Sequence, residues 1–389
     1  MDRRLFLKST AAALAMGGIE ATVAFAAAPP GADYRRLLVL VELKGGNDGL
    51  NTLVPYSDPA YYALRPKIGI DRDAVVQLSD HAGLHPSLAP LSNLWKEARL
   101  AVLQGVGYPE PNLSHFRSIE IWETASKSND YLPDGWLTRA FATQPPPGTF
   151  AADGVVVGSN ELGPLTGRGT RAVALVDTEQ FLRRARLASV RTDPGIKAVA
   201  HIRNVEAHVA QAASRLAAHH VFQTQFPSGN FGNAIKTACQ VIANPAGVAV
   251  VRVSLAGFDT HVNQPGTQAR LLSELANGFV ALKSALDELD KWNDTLVLTY
   301  AEFGRRPKEN QNNGTDHGTA NVHFALGGRV AGGFYGSAPD LTRLTGGGNP
   351  QSTLDFRSVY ATVLDRWWNV DSRETLGGRF APVPFLAAS

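Results

Sequence analysis

Four segments of the chain combine acidic, histidine and small polar residues in patterns that could bind a metal or transfer protons. They are GGNDGLN (45–51), SHFR (114–117), GFDTH (257–261) and the stretch from AEFGRR to GTDHG (301–318). Imidazole nitrogens and carboxylate oxygens together suit zinc, whereas oxygen-rich sets suit magnesium, manganese or calcium. The single cysteine, Cys239, excludes a cysteine-rich site. We therefore predict a divalent metal held by histidine and carboxylate side chains, with its identity and the number of ions open.

Runs of apolar residues typical of buried strands lie next to these segments. The strand patterns are RLLVLVEL (36–43), RLAVLQGV (99–106), DGVVVGS (153–159), RAVALVD (171–177), GVAVVRVSL (247–255), TLVLTYA (295–301) and VHFALGG (322–328). Apolar residues recur at helical spacing over 84–98, 193–220, 231–243 and 267–289. Strands that alternate with helices predict an α/β fold in which helices cover both faces of a mostly parallel sheet.

Metal ligands are predicted close to the ends of these strands, because ligands bind beyond the carboxyl ends of strands in open α/β sheets. The candidates are Asp48, Asp259, His261, Glu302, Asp316 and His317. Several of these residues have an alternative role that involves no metal. Asp48 could be a turn residue, Asp259 a helix cap and Glu302 a surface carboxylate. Their shared position at strand ends favours a common site.

A candidate nucleophile, Ser114, stands at the start of a predicted helix. Free backbone N–H groups and the helix dipole at such a position favour an alkoxide or a bound anion. The alternative is an ordinary helix cap, since serine is among the commonest residues there. His115 beside it is predicted to act as a ligand or as an acid. Four further residues are predicted to bind the oxygens of an anionic substrate: Asn47, Asn51, Arg117 and Arg305.

The first residues predict export. MDRRLFLKST carries Arg3 and Arg4 ahead of a small-residue apolar run, and a cleavage candidate follows at 24–26. This order is typical of a twin-arginine secretory signal, here over residues 1–26, which the twin-arginine translocase would carry to the periplasm or the exterior. A membrane anchor is the alternative, but two glycines and Glu20 interrupt the run. No later stretch has the length and apolar character of a membrane span.

Composition limits the domains and the partners. The 389 residues are 44% hydrophobic and 19% charged with a net charge of +2. These values fit a globular α/β protein and give no reason to expect nucleic acid or an anionic membrane as a partner. We predict a single domain over residues 33–389. The proline cluster QPPPGTF (144–150) predicts an inserted subregion near 131–190.

Several ordered motifs resemble the exported bacterial family called domain of unknown function 1501. A twin-arginine leader is followed by GGNDGLNTLVPY, YPEPNLSHFRSIEIW, GFDTH, TYAEFGR and GTDHG. The resemblance covers essentially the whole mature chain. That family is similar to the alkaline phosphatase and sulfatase superfamily, which implies a three-layer α/β/α sandwich with metals at the carboxyl ends of the strands.

The resemblance also implies roles for particular residues. Asp48 matches the first metal aspartate of the superfamily, and Ser114 matches its serine or threonine nucleophile. Asp259 and His261 match the aspartate and histidine pair that binds the first metal. His317 matches the late histidine ligand.

This sequence departs from the superfamily pattern at two places. Asp259 and His261 are two residues apart where the superfamily usually has four, and Glu302 and the phenylalanine after it replace an Asp-His pair. Phenylalanine cannot bind a metal. The site that includes Asp259 and His261 is therefore better supported than a second site built from Asp48 with Glu302 or Asp316.

These features predict an exported metal-dependent hydrolase of phosphate esters that acts on a small molecule or a polymer. Sulfate esters are less favoured because the chain lacks the Cys/Ser-x-Pro-x-Arg sequence that sulfatases convert to formylglycine. One alternative is a non-catalytic exported protein that keeps the superfamily fold and binds a cell-surface polymer or a partner protein. Another is an enzyme that uses water directly instead of Ser114.

Overall fold

The computed structural model describes residues 31–176 and 220–387. The predicted signal, most of the predicted helix 193–220 and part of the predicted subregion 131–190 lie outside the described residues. The described residues from Ala32 onwards belong to one compact unit. Among them, no helix combines the length and the apolar character needed to cross a membrane.

Strands and helices follow one another along the described chain. The strands are β1 (Leu37–Lys44), β2 (Leu53–Val54), β3 (Val76–Gln77), β4 (Gly83–Leu84), β5 (Leu100–Gly107), β6 (Ala152–Val157), β7 (Ala172–Leu175), β8 (Val248–Ala256), β9 (Thr295–Tyr300), β10 (Gly304–Glu309), β11 (Thr315–Gly318), β12 (Asn321–Leu326), β13 (Gly333–Tyr335) and β14 (Leu354–Asp355). The α-helices are α1 (Pro59–Leu64), α2 (Ser92–Lys96), α3 (His115–Thr124), α4 (Trp136–Thr143), α5 (Asn230–Ile242), α6 (Gln264–Glu288), α7 (Phe356–Ala361) and α8 (Ser372–Leu376). Short 3₁₀ helices span Gly49–Asn51, Arg72–Ala74, Pro86–Leu91, Gly163–Leu165 and Trp292–Asp294, and a π-helical segment spans Thr362–Trp367.

Nine of the described strands form the central sheet. Their order is β13–β5–β12–β9–β1–β8–β6–β7, with β14 beside β5. The described pairings in this sheet are parallel except those of β12 with β5 and β9. The predicted mostly parallel sheet is thus confirmed. Two small sheets accompany it, the hairpin β10–β11 and the three strands β2–β4–β3.

The reversed direction of β12 decides where the chain before it lies. Asn321, the first residue of β12, pairs with Val106 near the carboxyl end of β5. The start of an antiparallel strand lies beside the carboxyl ends of its neighbours. The hairpin β10–β11, which leads into β12, therefore lies at the edge of the sheet from which the loops after β1, β5, β8 and β9 also emerge.

Strand β1 shows why the sheet is buried on both faces. Its sequence LLVLVELK lacks a regular polar alternation; Val39 and Val41 pack into one hydrophobic core, and Leu38 and Leu40 pack into another. The first core includes residues of α5 and α6, and the second includes residues of α3, α4 and α7. Full burial of such side chains contributes about 1.5–3 kcal/mol each. Helices thus cover both faces, and the predicted three-layer α/β/α sandwich is confirmed.

Two buried histidines lead us to expect a loss of stability in acid. His323 of β12 is 1% exposed, and burial lowers its pKa to about 3; burial also lowers the pKa of His85 to about 4. Below about pH 6.5 an unfolded histidine binds a proton that the folded state does not bind. The free energy of unfolding should therefore fall by up to about 1.4 kcal/mol per pH unit for each histidine, from about pH 6.5 down to its folded pKa.

Urea unfolding at a series of pH values, with a metal chelator present, measures this loss. His323→Leu should make the fall in stability towards acid shallower than in the unsubstituted protein. The matched control is His81→Gln, which replaces an exposed histidine. An unchanged pH dependence in His323→Leu would show that the His323 ring does not exclude the proton in the folded protein.

Candidate metal centre

Four parts of the chain meet at the carboxyl edge of the sheet. Asp259 and His261 follow β8, and Glu302 follows β9. His115 is the first residue of α3, which follows β5, and His317 lies in β11. The fold thus brings together residues that are far apart in the sequence.

Three histidines surround the Asp259 carboxylate. His261 Nε2 lies 3.0 Å and His317 Nε2 lies 3.2 Å from Asp259 Oδ1, and His115 Nε2 lies 3.4 Å from Oδ2. The Nε2 atoms of His261 and His317 are 3.0 Å apart. We call these four residues the His–Asp cluster. Candidate ligand atoms of His115, Asp259 and His317 lie within 4.8 Å of one another, so these three residues could hold a metal ion.

The outer ring nitrogens fix how the imidazoles are protonated. His317 Nδ1 lies 2.8 Å from the Leu113 carbonyl oxygen, which can only accept a hydrogen bond, so Nδ1 carries the proton. His115 Nδ1 lies 2.9 Å from Glu302 Oε1 and donates to that carboxylate in the same way. Burial lowers the pKa of His317, which favours the neutral ring. The inner Nε2 atom of His317 therefore presents a lone pair to the cluster, and the inner Nε2 atom of a neutral His115 ring would do the same.

A cation at the centre of the cluster would resolve an electrostatic conflict. Lone pairs that face a carboxylate across 3.2 Å and 3.4 Å repel it unless positive charge lies between them. Zinc bound tetrahedrally at about 2.0–2.2 Å separates its ligand atoms by about 3.3–3.6 Å. The outer hydrogen bonds are also those that metal-bound histidines make, to a carbonyl or a carboxylate. The donor set therefore fits an ion of the zinc type.

The cluster contains three residues predicted to share a site, Asp259, His261 and His317. It also contains His115, which the sequence suggests as an acid or a ligand. His115 Nε2 faces Asp259, and His115 Nδ1 faces Glu302. This is the orientation of a histidine that binds a metal. The signal that could have identified it is its position at the first turn of a helix after a buried strand.

Arg305 holds the Asp259 carboxylate in place. Its Nη2 lies 2.7 Å from Asp259 Oδ1, and its side chain is fully buried. Burial alone would raise the pKa of Asp259, but the hydrogen bond and the charge of Arg305 lower it to about 2. The other guanidinium hydrogen bonds go to the carbonyl oxygens of Gly45, Gly46, Phe258 and Thr315. The predicted contact with a substrate anion does not fit this burial; Arg305 positions Asp259 instead.

Arg117 is also occupied by the protein. Its guanidinium donates hydrogen bonds to the carbonyl oxygens of Lys127, Ser128 and Asp130, and it lies 3.9 Å from the centre of the Tyr131 ring. These contacts fasten the loop after α3 to the helix, so the predicted anion-binding role does not fit here either. The sequence does not reveal which face of α3 meets that loop.

Asp48 pairs with an arginine and not with the cluster. Its carboxylate oxygens lie 2.6 Å and 3.0 Å from Arg65, and Gln264 also donates to one of them. Both charged side chains are fully buried. Asp48 also accepts from the Leu50 N–H at 3.2 Å, as a turn residue does. Asp48 is not part of the group of described residues that could hold a metal, and sequence reasoning missed Arg65 because no motif surrounds it.

Asn47 and Asn51, predicted to contact a substrate, belong to a buried network near Asp48. Asn51 accepts a hydrogen bond from the Tyr61 hydroxyl and donates one to the Ile68 carbonyl, both at 2.8 Å. Asn47 Oδ1 accepts from the Gln268 amide at 3.0 Å. Both asparagines are buried. They brace the loop after β1 and do not face solvent.

Glu302 lies next to the cluster and supports one of its histidines. It is 3% exposed and accepts hydrogen bonds from the N–H groups of Gly45 at 2.9 Å and Gly46 at 3.2 Å, as well as from His115. Burial raises the pKa of Glu302, although these hydrogen bonds oppose the rise. A Cβ on Gly46 would lie 2.4 Å from the Phe303 ring, and its φ of +80° also favours glycine. Glycine at position 46 thus leaves room for the Phe303 ring beside the loop that binds Glu302.

Residues at the rim complete the site. Ser114 is exposed and stands at the N-cap of α3, yet its side chain makes no capping hydrogen bond within the described chain. Asp316 Oδ1 lies 3.6 Å from His261 Nδ1, beside the outer face of that ring. Phe303 stacks on His317 with ring centroids 4.2 Å apart, which restricts the plane of the imidazole.

Glu302→Gln is expected to weaken zinc binding by about 10–100-fold. Glutamine keeps the shape of the side chain but loses the charge that holds the His115 proton. Competition with a chromogenic chelator measures the affinity, and Glu161→Gln, which replaces an exposed carboxylate, is the control. Equal zinc affinities in Glu302→Gln and the unsubstituted protein would show that Glu302 does not position His115.

Three solved structures are proteins to which the chain is similar. The chain is similar to a sulfatase from Pseudoalteromonas sp., with 11% identity and a TM-score of 0.40 over 91% of this chain and 72% of that chain. It is similar to the alkaline phosphatase from the Antarctic bacterium TAB5, with 13% identity and a TM-score of 0.32 over 77% of this chain and 94% of that chain. It is also similar to the lipoteichoic acid synthase LtaP from Listeria monocytogenes, with 9% identity and a TM-score of 0.33 over 76% of this chain and 67% of that chain. At identities of 9–13% and TM-scores of 0.32–0.40, the likeness concerns the fold alone.

The chain belongs to the family described as "Protein of unknown function (DUF1501)", which matches residues 35–376. The family predicted from the ordered motifs is therefore confirmed. No curated protein matches the sequence. Because the description of the family gives no activity, the function has to be argued from the site.

Proposed function

We propose that this chain is an exported metal-dependent hydrolase of phosphate esters, with one divalent metal bound by the His–Asp cluster. The observation that carries the proposal is the convergence of three imidazole Nε2 atoms on the Asp259 carboxylate. Such a four-donor set suits zinc better than magnesium or calcium, which prefer oxygen ligands. Export by the twin-arginine translocase is part of the proposal, and the substrate is a small-molecule or polymeric phosphate ester.

Residues around the cluster prepare the site before a substrate arrives. Glu302 and the Leu113 carbonyl hold protons on the outer nitrogens of His115 and His317, which directs their inner lone pairs to the centre. Arg305 keeps the Asp259 carboxylate ionised. The bound metal would supply a Lewis acid for an oxygen of the ester.

Ser114 is the proposed nucleophile. It is exposed, it adjoins His115, and its side chain does not cap α3 within the described chain. Free N–H groups of the first turn of α3 would bind the oxygens of the phosphate, in place of the buried Arg117 and Arg305. Attack by the serine oxygen would expel the alcohol, and water would then release phosphate from the serine.

Turnover of p-nitrophenyl phosphate tests this proposal. We expect phosphate release that a chelator abolishes, that added zinc restores and that His115→Ala lacks. Ser114→Ala separates the two nucleophiles, because activity disappears if serine attacks and persists if water is used directly. Ser284→Ala, at an exposed position of α6, is the control. The proposal of a hydrolase would be contradicted if the protein holds one equivalent of metal but hydrolyses neither phosphate nor sulfate esters.

A non-catalytic exported binding protein is the second candidate, and one observation favours it. Both arginines that the sequence offers for anion binding, Arg117 and Arg305, direct their guanidinium groups at backbone carbonyls. In this case the metal would stabilise the fold only. Its removal would lower Tm, and no ester would be turned over under any metal tested.

A further inference from the structure

A cavity lies outside the His–Asp cluster. Its volume is about 350 Å³, and residues of both the small sheet β2–β4–β3 and the central sheet line it. None of the four cluster residues is among those that line it. The volume is within the range of small-molecule sites, about 300–1,000 Å³. Its walls are mainly apolar, with Leu50, Leu53, Pro55, Val322, Phe334 and Leu341.

Apart from Gln104, the polar residues that line this cavity come from two neighbouring segments. Ser79 Oγ accepts hydrogen bonds from the N–H of His81 at 3.3 Å and from the next N–H at 3.2 Å, which fixes the turn. His81 Nδ1 lies 3.2 Å from Ser57 Oγ, and Asp58 adjoins that serine. The cavity therefore has an apolar body and a polar end whose geometry is set before any ligand binds.

The charge at this polar end is negative. Asp58 is the only carboxylate among the described residues that line the cavity, and none of those residues is a lysine or an arginine. Asp58 Oδ1 caps α1 by accepting from the Ala60 N–H at 2.8 Å, which occupies one of its two oxygens. A carboxylate in such surroundings attracts a cationic group and repels an anionic one.

We propose that this cavity binds an amphipathic amine, a molecule that joins an apolar chain or ring to a protonated amino group. The apolar part fills the space beside Leu53, Phe334 and Leu341. The ammonium group donates hydrogen bonds to Asp58 and to the hydroxyl of Ser57. An amphipathic carboxylate of the same size would meet Asp58 with no compensating cation from the described lining. This site is separate from the proposed hydrolase centre and does not depend on it.

Titration calorimetry of the full-length protein with octylamine, octan-1-ol and octanoate tests the proposal. At about pH 8 the amine is protonated. We expect saturable binding of octylamine, and binding of octan-1-ol that is weaker by about tenfold or more because a charge-assisted hydrogen bond is lost. Octanoate should bind most weakly. Addition of a metal chelator should leave octylamine binding unchanged, which separates the cavity from any metal at the His–Asp cluster.

Two variants assign the binding to this cavity. Asp58→Asn removes the charge and keeps the cap of α1, because asparagine caps helices as well as aspartate does. This substitution should weaken the binding of octylamine by about tenfold and leave the affinity for octan-1-ol unchanged. Ala338 is an exposed residue of the cavity lining. Ala338→Trp should weaken the binding of both octylamine and octan-1-ol, because the larger side chain fills the cavity.

Several results would overturn the proposal. They are octan-1-ol binding as tight as octylamine binding, an unchanged octylamine affinity in Asp58→Asn, uptake that does not saturate, and no octylamine binding up to its solubility limit. Thermal unfolding of each variant checks that it is folded. If Asp58→Asn fails to fold, Asp58→Ser takes its place, since serine is also a strong helix cap.

Discussion

Arg65→Met is expected to lower the free energy of unfolding by about 3–5 kcal/mol while the metal content stays unchanged. Arg65 and Asp48 are fully buried and lie 2.6 Å apart. Loss of the guanidinium leaves a buried carboxylate with no opposite charge, which destabilises more than the intact pair stabilises. Gln264 and the Leu50 N–H still donate to Asp48, but neither carries a charge.

Urea unfolding followed by tryptophan fluorescence, with metal analysis of the same samples, measures both quantities. The matched control is Arg270→Met, which removes an exposed guanidinium paired with Glu274 and should cost less than about 1 kcal/mol. Asp48→Leu combined with Arg65→Met should recover part of the stability. If the Arg65→Met protein keeps its free energy of unfolding but loses its metal, Asp48 would have to be counted among the metal ligands.

His317→Ala is expected to remove the stabilisation that zinc at the proposed site would give to the folded protein. A ligand present at 100 times its Kd stabilises the folded state by about 2.7 kcal/mol. The His317 Nε2 lone pair is directed at the cluster by the hydrogen bond from Nδ1 to Leu113. Removal of this nitrogen should weaken zinc binding by more than the roughly 10–100-fold that outer partners contribute.

Thermal unfolding with zinc and with a chelator separates the metal from the packing of the ring. The unsubstituted protein should show a higher Tm in zinc, and His317→Ala should show the same Tm in both conditions. The Tm in chelator reports the contact that His317 makes with Phe303. His81→Ala, which removes an exposed histidine outside the cluster, is the matched control. A zinc-dependent rise in His317→Ala as large as that of the unsubstituted protein would place the metal elsewhere.

The position of Asp259 and His261 could be predicted from the sequence because they directly follow an apolar strand. The rule that ligands bind at the carboxyl ends of parallel strands was sufficient for them. His317 precedes a strand, so its place at the same edge depends on the antiparallel direction of β12. That direction is set by pairing with β5 and β9, which the residues of β12 alone do not encode.

The partners of the charged residues could not be predicted in the same way. Asp48, Arg117 and Arg305 have the residue types that a metal site or an anion site requires. Their surroundings show other roles: Asp48 meets Arg65, and the two other guanidinium groups meet carbonyls. A guanidinium that binds backbone and one that binds phosphate are identical in sequence, since the difference lies in burial.

The sequence by itself determined seven of the nine described strands of the central sheet and the family, because these follow from residue type and local spacing. The tertiary structure alone decided that His115 joins Asp259, His261 and His317 at one centre and that Asp48 faces an arginine. Such contacts depend on the order and direction of strands that are distant in the chain, and local spacing carries no information about either.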